Sequence, residues 1–196
     1  MISGKFLFVI LACTWGGLAK LAAQATPEAL QQYRAWHEVC LQGNVDQIDQ
    51  QIANFQQQLA AHPGDSLAKA FLGSAYALRA KFGKWPPSKL ANLKRGRELM
   101  NEAIVEAPHD GRVRMVRAIA YYRIPKRFGV RETSLADFNL LVPAAQKKKP
   151  FTRSERQAIL YYAALAYRDE NIAGAGELMA QCRALDPDSS YGKLAQ

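Results

Sequence analysis

From residue 27 onward, apolar side chains recur at spacings of three and four, the rhythm of helices with one buried face. In the Gln-rich stretch 45–61, Ile48, Ile52, Phe55 and Leu59 keep that rhythm. Gly96, Met100 and Ala103 stand four and three residues apart, with Pro108 five further on; Ala175, Met179, Cys182 and Pro187 repeat those steps. Small residues alternating with large ones on one face predict close approach of a neighbouring helix. A second pattern recurs as Leu72-Gly73-x-x-Tyr76, Arg117-Ala118-x-x-Tyr121 and Ala163-Ala164-x-x-Tyr167. There a small residue permits a tight crossing and a tyrosine one turn later fills the gap beside it.

The breaks between these segments are alike. Ala61-His62-Pro63-Gly64-Asp65, Ala107-Pro108-His109-Asp110-Gly111 and Leu185-Asp186-Pro187-Asp188-Ser189 each end an amphipathic run. Proline cannot continue a helix, and the Asp or Ser after it can cap the next one. Pro27 suits a first helical turn and Glu28 the positive end of the helix dipole. Gly43-Asn44 breaks the run and Asp46 restarts it. The pattern predicts a helical hairpin over 26–64 and three further helix pairs over 65–196. The first of these is lengthened by a loop at 81–88 and the second by a shorter one at 125–130. In the second pair Ser134, Phe138 and Leu141 carry the small–large–apolar face.

In this order the two half-patterns resemble the tetratricopeptide repeat (TPR), over about residues 65–190. The chain departs from that repeat in its two insertions. It also has Lys69, Arg114 and Leu160 where a large apolar residue or Trp often opens the first helix. More narrowly, Trp85-Pro86, Lys89-Leu90, Val113 to Ala118, Ile124-Pro125 and Phe128-Gly129 resemble exported bacterial TPR proteins of uncharacterised type. A weaker likeness is to the periplasmic helical-repeat subunits associated with TRAP transporters. The resemblance implies an all-α, TPR-like α-solenoid of about three helix pairs, with the divergent N-terminal hairpin capping one end. It supplies no catalytic residue. In its register the first helix of each pair lines a concave face. That points Arg112, Met115, Ile119, Tyr122 and Arg123 of the second pair inward, with Tyr161 and Arg168 of the third. Tyrosine, Met and Arg suit a protein or peptide partner. Trp85, in the first insertion, is a separate recognition candidate, the alternative being that it folds back over the helix pair.

Residues 1–25 have the form of a signal peptide: Lys5, the apolar run Phe6 to Ala12, then Ala23-Gln24-Ala25 as a cleavage site. The apolar part is shorter than the roughly 20 residues of a bilayer span. A lipoprotein cysteine at Cys13 is the alternative. The expected address is the periplasm or the exterior, with no membrane span in the mature chain. The net charge of +9 includes Lys5 and Lys20; without them 24 basic residues face 17 acidic ones. Arg112, Arg114, Arg117, Arg123, Lys126, Arg127 and Arg131 crowd one helix and its loop, and Lys147 to Lys149 form a second run. At least one of Arg114 and Arg117 is expected to bury its stem and pair with a carboxylate, Glu102, Glu106 or Asp137 being the candidates. No nucleic-acid-binding motif accompanies the charge, so a nucleic-acid partner is not expected.

The chain has no Gly-rich phosphate loop, H-E-x-x-H helix or G-x-S-x-G elbow. His62 and His109 fall in equivalent turns without a ligand cluster beside them, and His37 is expected at the surface. Cys182 takes the small buried place of Ala103, and Cys40, in the first hairpin, is expected far from it. No enzyme activity, metal or cofactor is expected. The leading function is a scaffold or adaptor for a protein or peptide. The alternative is an accessory subunit binding a small anionic solute for a transporter.

Overall fold

The computed structural model describes residues 26–147 and 150–196. The signal-peptide reading at 1–25, with Cys13, and Lys148 and Lys149 of the lysine run lie outside the described residues. Among those described, all regular structure is helical. The order is α1 (Pro27–Leu41), α2 (Val45–Ala61), α3 (Ser66–Phe82), α4 (Pro86–Glu106), α5 (Gly111–Arg123), α6 (Arg131–Ala145), α7 (Arg153–Asp169), α8 (Ala175–Leu185) and α9 (Ser190–Leu194). A single 3-10 turn, Lys126–Phe128, precedes α6.

The starts are set by side chains that satisfy the free N–H groups of a first turn. Thr26 caps α1, Asn44 caps α2 and Asp65 caps α3. Asp110 accepts from the N–H groups of Arg112 at 2.7 Å and Val113 at 3.3 Å. Thr152 and Glu155 form a reciprocal capping box on α7, and Ser189 caps α9. The predicted loop at 81–88 is largely helix instead. Pro86 sits in the first turn of α4, where its missing N–H costs nothing. The extra residues therefore lengthen α3 and α4 to 17 and 21 residues, and only residues 83–85 lie between them.

Each helix packs on the next in sequence, and α1, α3, α5 and α7 also pack side by side in that order. The crossings follow the small residues. A Cβ on Gly73 would lie 2.7 Å from the Gly96 carbonyl oxygen, and one on Gly96 would lie 2.5 Å from that of Gly73. The α3 and α4 backbones therefore touch. Gly96→Ala is expected to cost about 2 kcal/mol by forcing the pair apart; an unchanged urea midpoint would show that the contact yields freely. Between α5 and α6 the small residue is Ser134, whose hydroxyl donates to the Ala118 carbonyl at 2.8 Å.

The recurrent tyrosines each hydrogen-bond a side-chain amide of the preceding helix. Gln56 of α2 donates to the Tyr76 hydroxyl at 3.1 Å. Tyr121 donates to Asn101 of α4 at 2.9 Å, and Tyr167 to Asn139 of α6 at 2.5 Å. An aromatic group joins the N-terminal hairpin to the rest: Phe55 of α2 stacks on Phe71 of α3 at 6.1 Å, with Tyr33 and Trp36 of α1 against them. The Tyr33 hydroxyl donates to the capping residue Asp65 at 2.5 Å. Cys40 and Cys182 are buried and unbridged. Cys182 lies beneath α7 in a core with Phe138, Leu141, Ile159 and Leu178.

Arg114 and Arg117 pair with Asp137, one of the three partners considered from the sequence. Arg114 Nη1 lies 2.7 Å and Arg117 Nε 2.8 Å from its carboxylate, which is 1% exposed. The two arginines share this one buried acid, so the triad keeps a net positive charge.

Candidate binding face

The side formed by α1, α3, α5 and α7 carries most of the predicted site residues. Met115 and Ile119 point into the core against α7, Met115 at 8% exposure. They shape the floor of the face rather than its contact surface. Tyr122 is half-buried. Its hydroxyl donates to Asp169 at 3.0 Å, and the Arg131 guanidinium lies 4.3 Å over its ring. Burial, then the bond to Asp169, raise its pKa.

Arg112 is committed internally. Its Nε lies 2.7 Å from Glu155 Oε1, and Nη2 donates to the Pro150 carbonyl at 3.1 Å. Arg34 of α1 reaches the same Glu155 oxygen at 2.5 Å. This bond joins α1 to α7 along the edge of the face. Arg123, the last residue of α5, and Arg168, near the end of α7, are exposed. Neither forms an ion pair among the described residues.

Tyr161 belongs to a cluster that sequence reasoning reached only in part. Tyr162 lies 5.3 Å from Tyr161 and 5.8 Å from Tyr122, ring to ring. Tyr191 of α9 lies 5.6 Å from Tyr161 and 6.1 Å from Tyr162. The hydroxyls of Tyr161, Tyr162 and Tyr191 have no protein partner among the described residues. Burial pushes the Tyr191 hydroxyl up to about 12; Tyr162 and Glu38 add to the rise, while Arg123 opposes it. Arg123 and Glu38 of α1 are thus near enough for their charges to act on Tyr191.

His37 is half-buried rather than at the surface. Its Nε2 is 2.8 Å from the Ser74 hydroxyl, and its ring lies 5.4 Å from Phe71. Burial first, then the charge of Arg123, push its pKa down to about 4. It is a neutral hydrogen-bonding group on this face at ordinary pH. Tyr162, Tyr191 and His37 were not among the predicted site residues. The adjacent Tyr161-Tyr162 pair, and a tyrosine just past the last capped turn, were the signals for two of them.

Trp85 does not fold back. It is 68% exposed at the start of α4. His62 and His109 are exposed turn residues. Two open depressions of about 680 and 630 Å³ lie along α8 and between the starts of α7 and α9, the second lined in part by Tyr191. Among the described residues no group of His, Cys, Asp and Glu could hold a metal ion, and no helix is long and apolar enough to cross a membrane. No family model, curated protein or solved structure matches the chain.

Proposed function

We propose that this chain is an exported TPR-type scaffold or adaptor that binds a protein or peptide through the face built by α1, α3, α5 and α7. The TPR-like α-solenoid reading is supported by the sequential packing of helix pairs, the small-residue crossings and the amide–tyrosine bond made three times between successive units. Export rests on the form of residues 1–25.

The observation that carries the binding role is the tyrosine cluster beside Arg123. Tyr161, Tyr162 and Tyr191 offer rigid rings and unspent hydroxyls. Tyrosine and Arg are enriched among the side chains that anchor interfaces, tyrosine because it buries a large area at low entropic cost. Arg123 adds an unpaired cation and His37 a neutral polar group. Arg112 serves instead to hold the face together through Glu155.

The double variant Tyr162→Ser, Arg123→Glu is the direct test. Both positions leave the buried ion pairs intact, and an unchanged circular-dichroism spectrum checks that the fold is retained, since Tyr162 also packs on the core. A photo-crosslinker at Tyr161 is expected to capture a discrete partner in the native cell envelope, and the double substitution to abolish that adduct. An adduct of undiminished yield rules the face out. A second reading, a small anionic solute, is favoured by one feature: Arg123 is exposed and makes no ion pair among the described residues. Thermal stabilisation by small carboxylates, lost in Arg123→Glu, with no crosslinked protein, selects that reading.

A further inference from the structure

Trp85 is not the only large apolar side chain left bare near the start of α4. Leu90, one turn further on, is 60% exposed. Pro86, Pro87 and Ala91 are exposed beside them. Positions 87, 90, 91 and 94 recur at helical spacing and fall on one outward side of α4. Among the described residues this side is left open to solvent.

The charge around it has one sign. Residues 81–97 contain Lys81, Lys84, Lys89, Lys94, Arg95 and Arg97 and no acid. Lys81 and Lys84 are exposed, and Lys94 has 80% of its side chain in solvent. Lys81, Lys84 and Lys89 make no ion pair among the described residues. Two of the acids on neighbouring segments are already engaged. Asp49 of α2 accepts from Arg79 at 2.6 Å, and Glu98 faces Arg95 at 3.6 Å and Lys94 at 3.9 Å. Lys81 also lies 4.9 Å over the Phe82 ring. The turn at 125–130 borders the same corner, since Ile124, Val130 and Phe128 pack with Ala80 and Leu93. It adds the exposed Arg127.

We propose that this corner, Trp85 and Leu90 ringed by Lys81, Lys84, Lys89 and Lys94, docks the protein on an anionic phospholipid surface. A tryptophan set between lysines matches the headgroup boundary, where an indole keeps its N–H wet and its ring in the apolar edge. Lysine stems lie along apolar surface while their ammonium groups meet lipid phosphates. Two prolines hold Trp85 at the tip, so little order is lost on contact. The aliphatic components, Leu90, Ala91 and the prolines, favour lipid over a nucleic acid, for which stacking rings would be expected to recur. No helix inserts; the contact is peripheral and reversible, and is separate from the tyrosine face.

The test uses the full chain labelled with 5-fluorotryptophan. Its three fluorine resonances are assigned with single Trp→Phe variants, so Trp85 is read apart from Trp15 and Trp36. Adding vesicles of phosphatidylglycerol and phosphatidylcholine is expected to shift and broaden the Trp85 line. Phosphatidylcholine vesicles alone are expected to leave it unchanged. Raising ionic strength from about 0.1 M to about 1 M shortens the screening length from about 10 Å to about 3 Å and should reverse the effect. Lys81→Glu with Lys84→Glu, both on the surface, should weaken the Trp85 response by about thirtyfold or more in lipid concentration while the Trp36 line keeps its folded position. A Trp85 line indifferent to anionic vesicles overturns the proposal. So does one that responds to single-stranded oligonucleotide but not to lipid.

Discussion

Replacing Asp137 with alanine is expected to lower the unfolding free energy by about 4 kcal/mol. Exposed ion pairs contribute about 0–1 kcal/mol, so burial decides the magnitude. The Arg114 and Arg117 side chains are 17% and 12% exposed and the Asp137 side chain 2%. Removing the acid strands two largely desolvated guanidinium groups. Arg114 keeps a bond to the Pro108 carbonyl at 2.7 Å and Arg117 one to Asn101 at 3.1 Å, which limits the loss. Urea denaturation of the wild type and the variant measures it; a loss under about 1 kcal/mol would place the triad with surface pairs. The combined change Asp137→Leu, Arg114→Met, Arg117→Met is expected to restore most of the stability, because apolar side chains of similar volume often replace a buried ionic group without cost.

Glu155→Gln is expected to cost about 2–3 kcal/mol, less than Asp137→Ala because Arg34 and Arg112 can turn to water. Their side chains are 40% and 30% exposed. The Glu155 carboxyl also sets a pH signature. Burial alone would raise its pKa, but the hydrogen bond from Arg112, the Thr152 N–H and the charges of Arg34 and Arg112 outweigh burial and hold it below 4.5. A carboxyl depressed in the folded state contributes stability above its unfolded pKa and loses it as pH falls through the folded value. The wild type should therefore lose stability faster than Glu155→Gln as pH drops from about 6 to about 3, and the gap between them should close. A gap that stays constant over this range would contradict the pairing.

What the sequence disclosed best were features written locally. The proline turns, their Asp and Ser caps, and the Gly73 and Gly96 crossing depend on a few neighbouring residues. All stand where the pattern put them. The interval 81–88 was misread as a loop because two consecutive prolines look like a break, yet both fit within a first helical turn. Arg114 and Arg117 had several possible carboxylates within sequence reach, and only packing selects Asp137.

The site was legible by face and not by role. Periodicity puts Arg112 and Tyr161 on the same side of the fold. It does not disclose that Arg112 faces Glu155, 43 positions later. Beside Trp36 in the first helix, His37 reads from the sequence as a surface or edge residue; its burial comes from α3, through Ser74 and Phe71. Tyr191 was missed because α9 is only five residues long and leaves no periodic signal.

The Arg34–Glu155 bond has a consequence for how the molecule comes apart. In arrays where each unit touches only its neighbours, the ends can fray while the middle stays folded. Here residues 121 positions apart share a buried carboxylate, so the first helix cannot leave without disturbing the seventh. That coupling favours a single unfolding step. Amides in α1 and α7 should then exchange with solvent deuterium at similar rates, and severing the bond should let α1 exchange first.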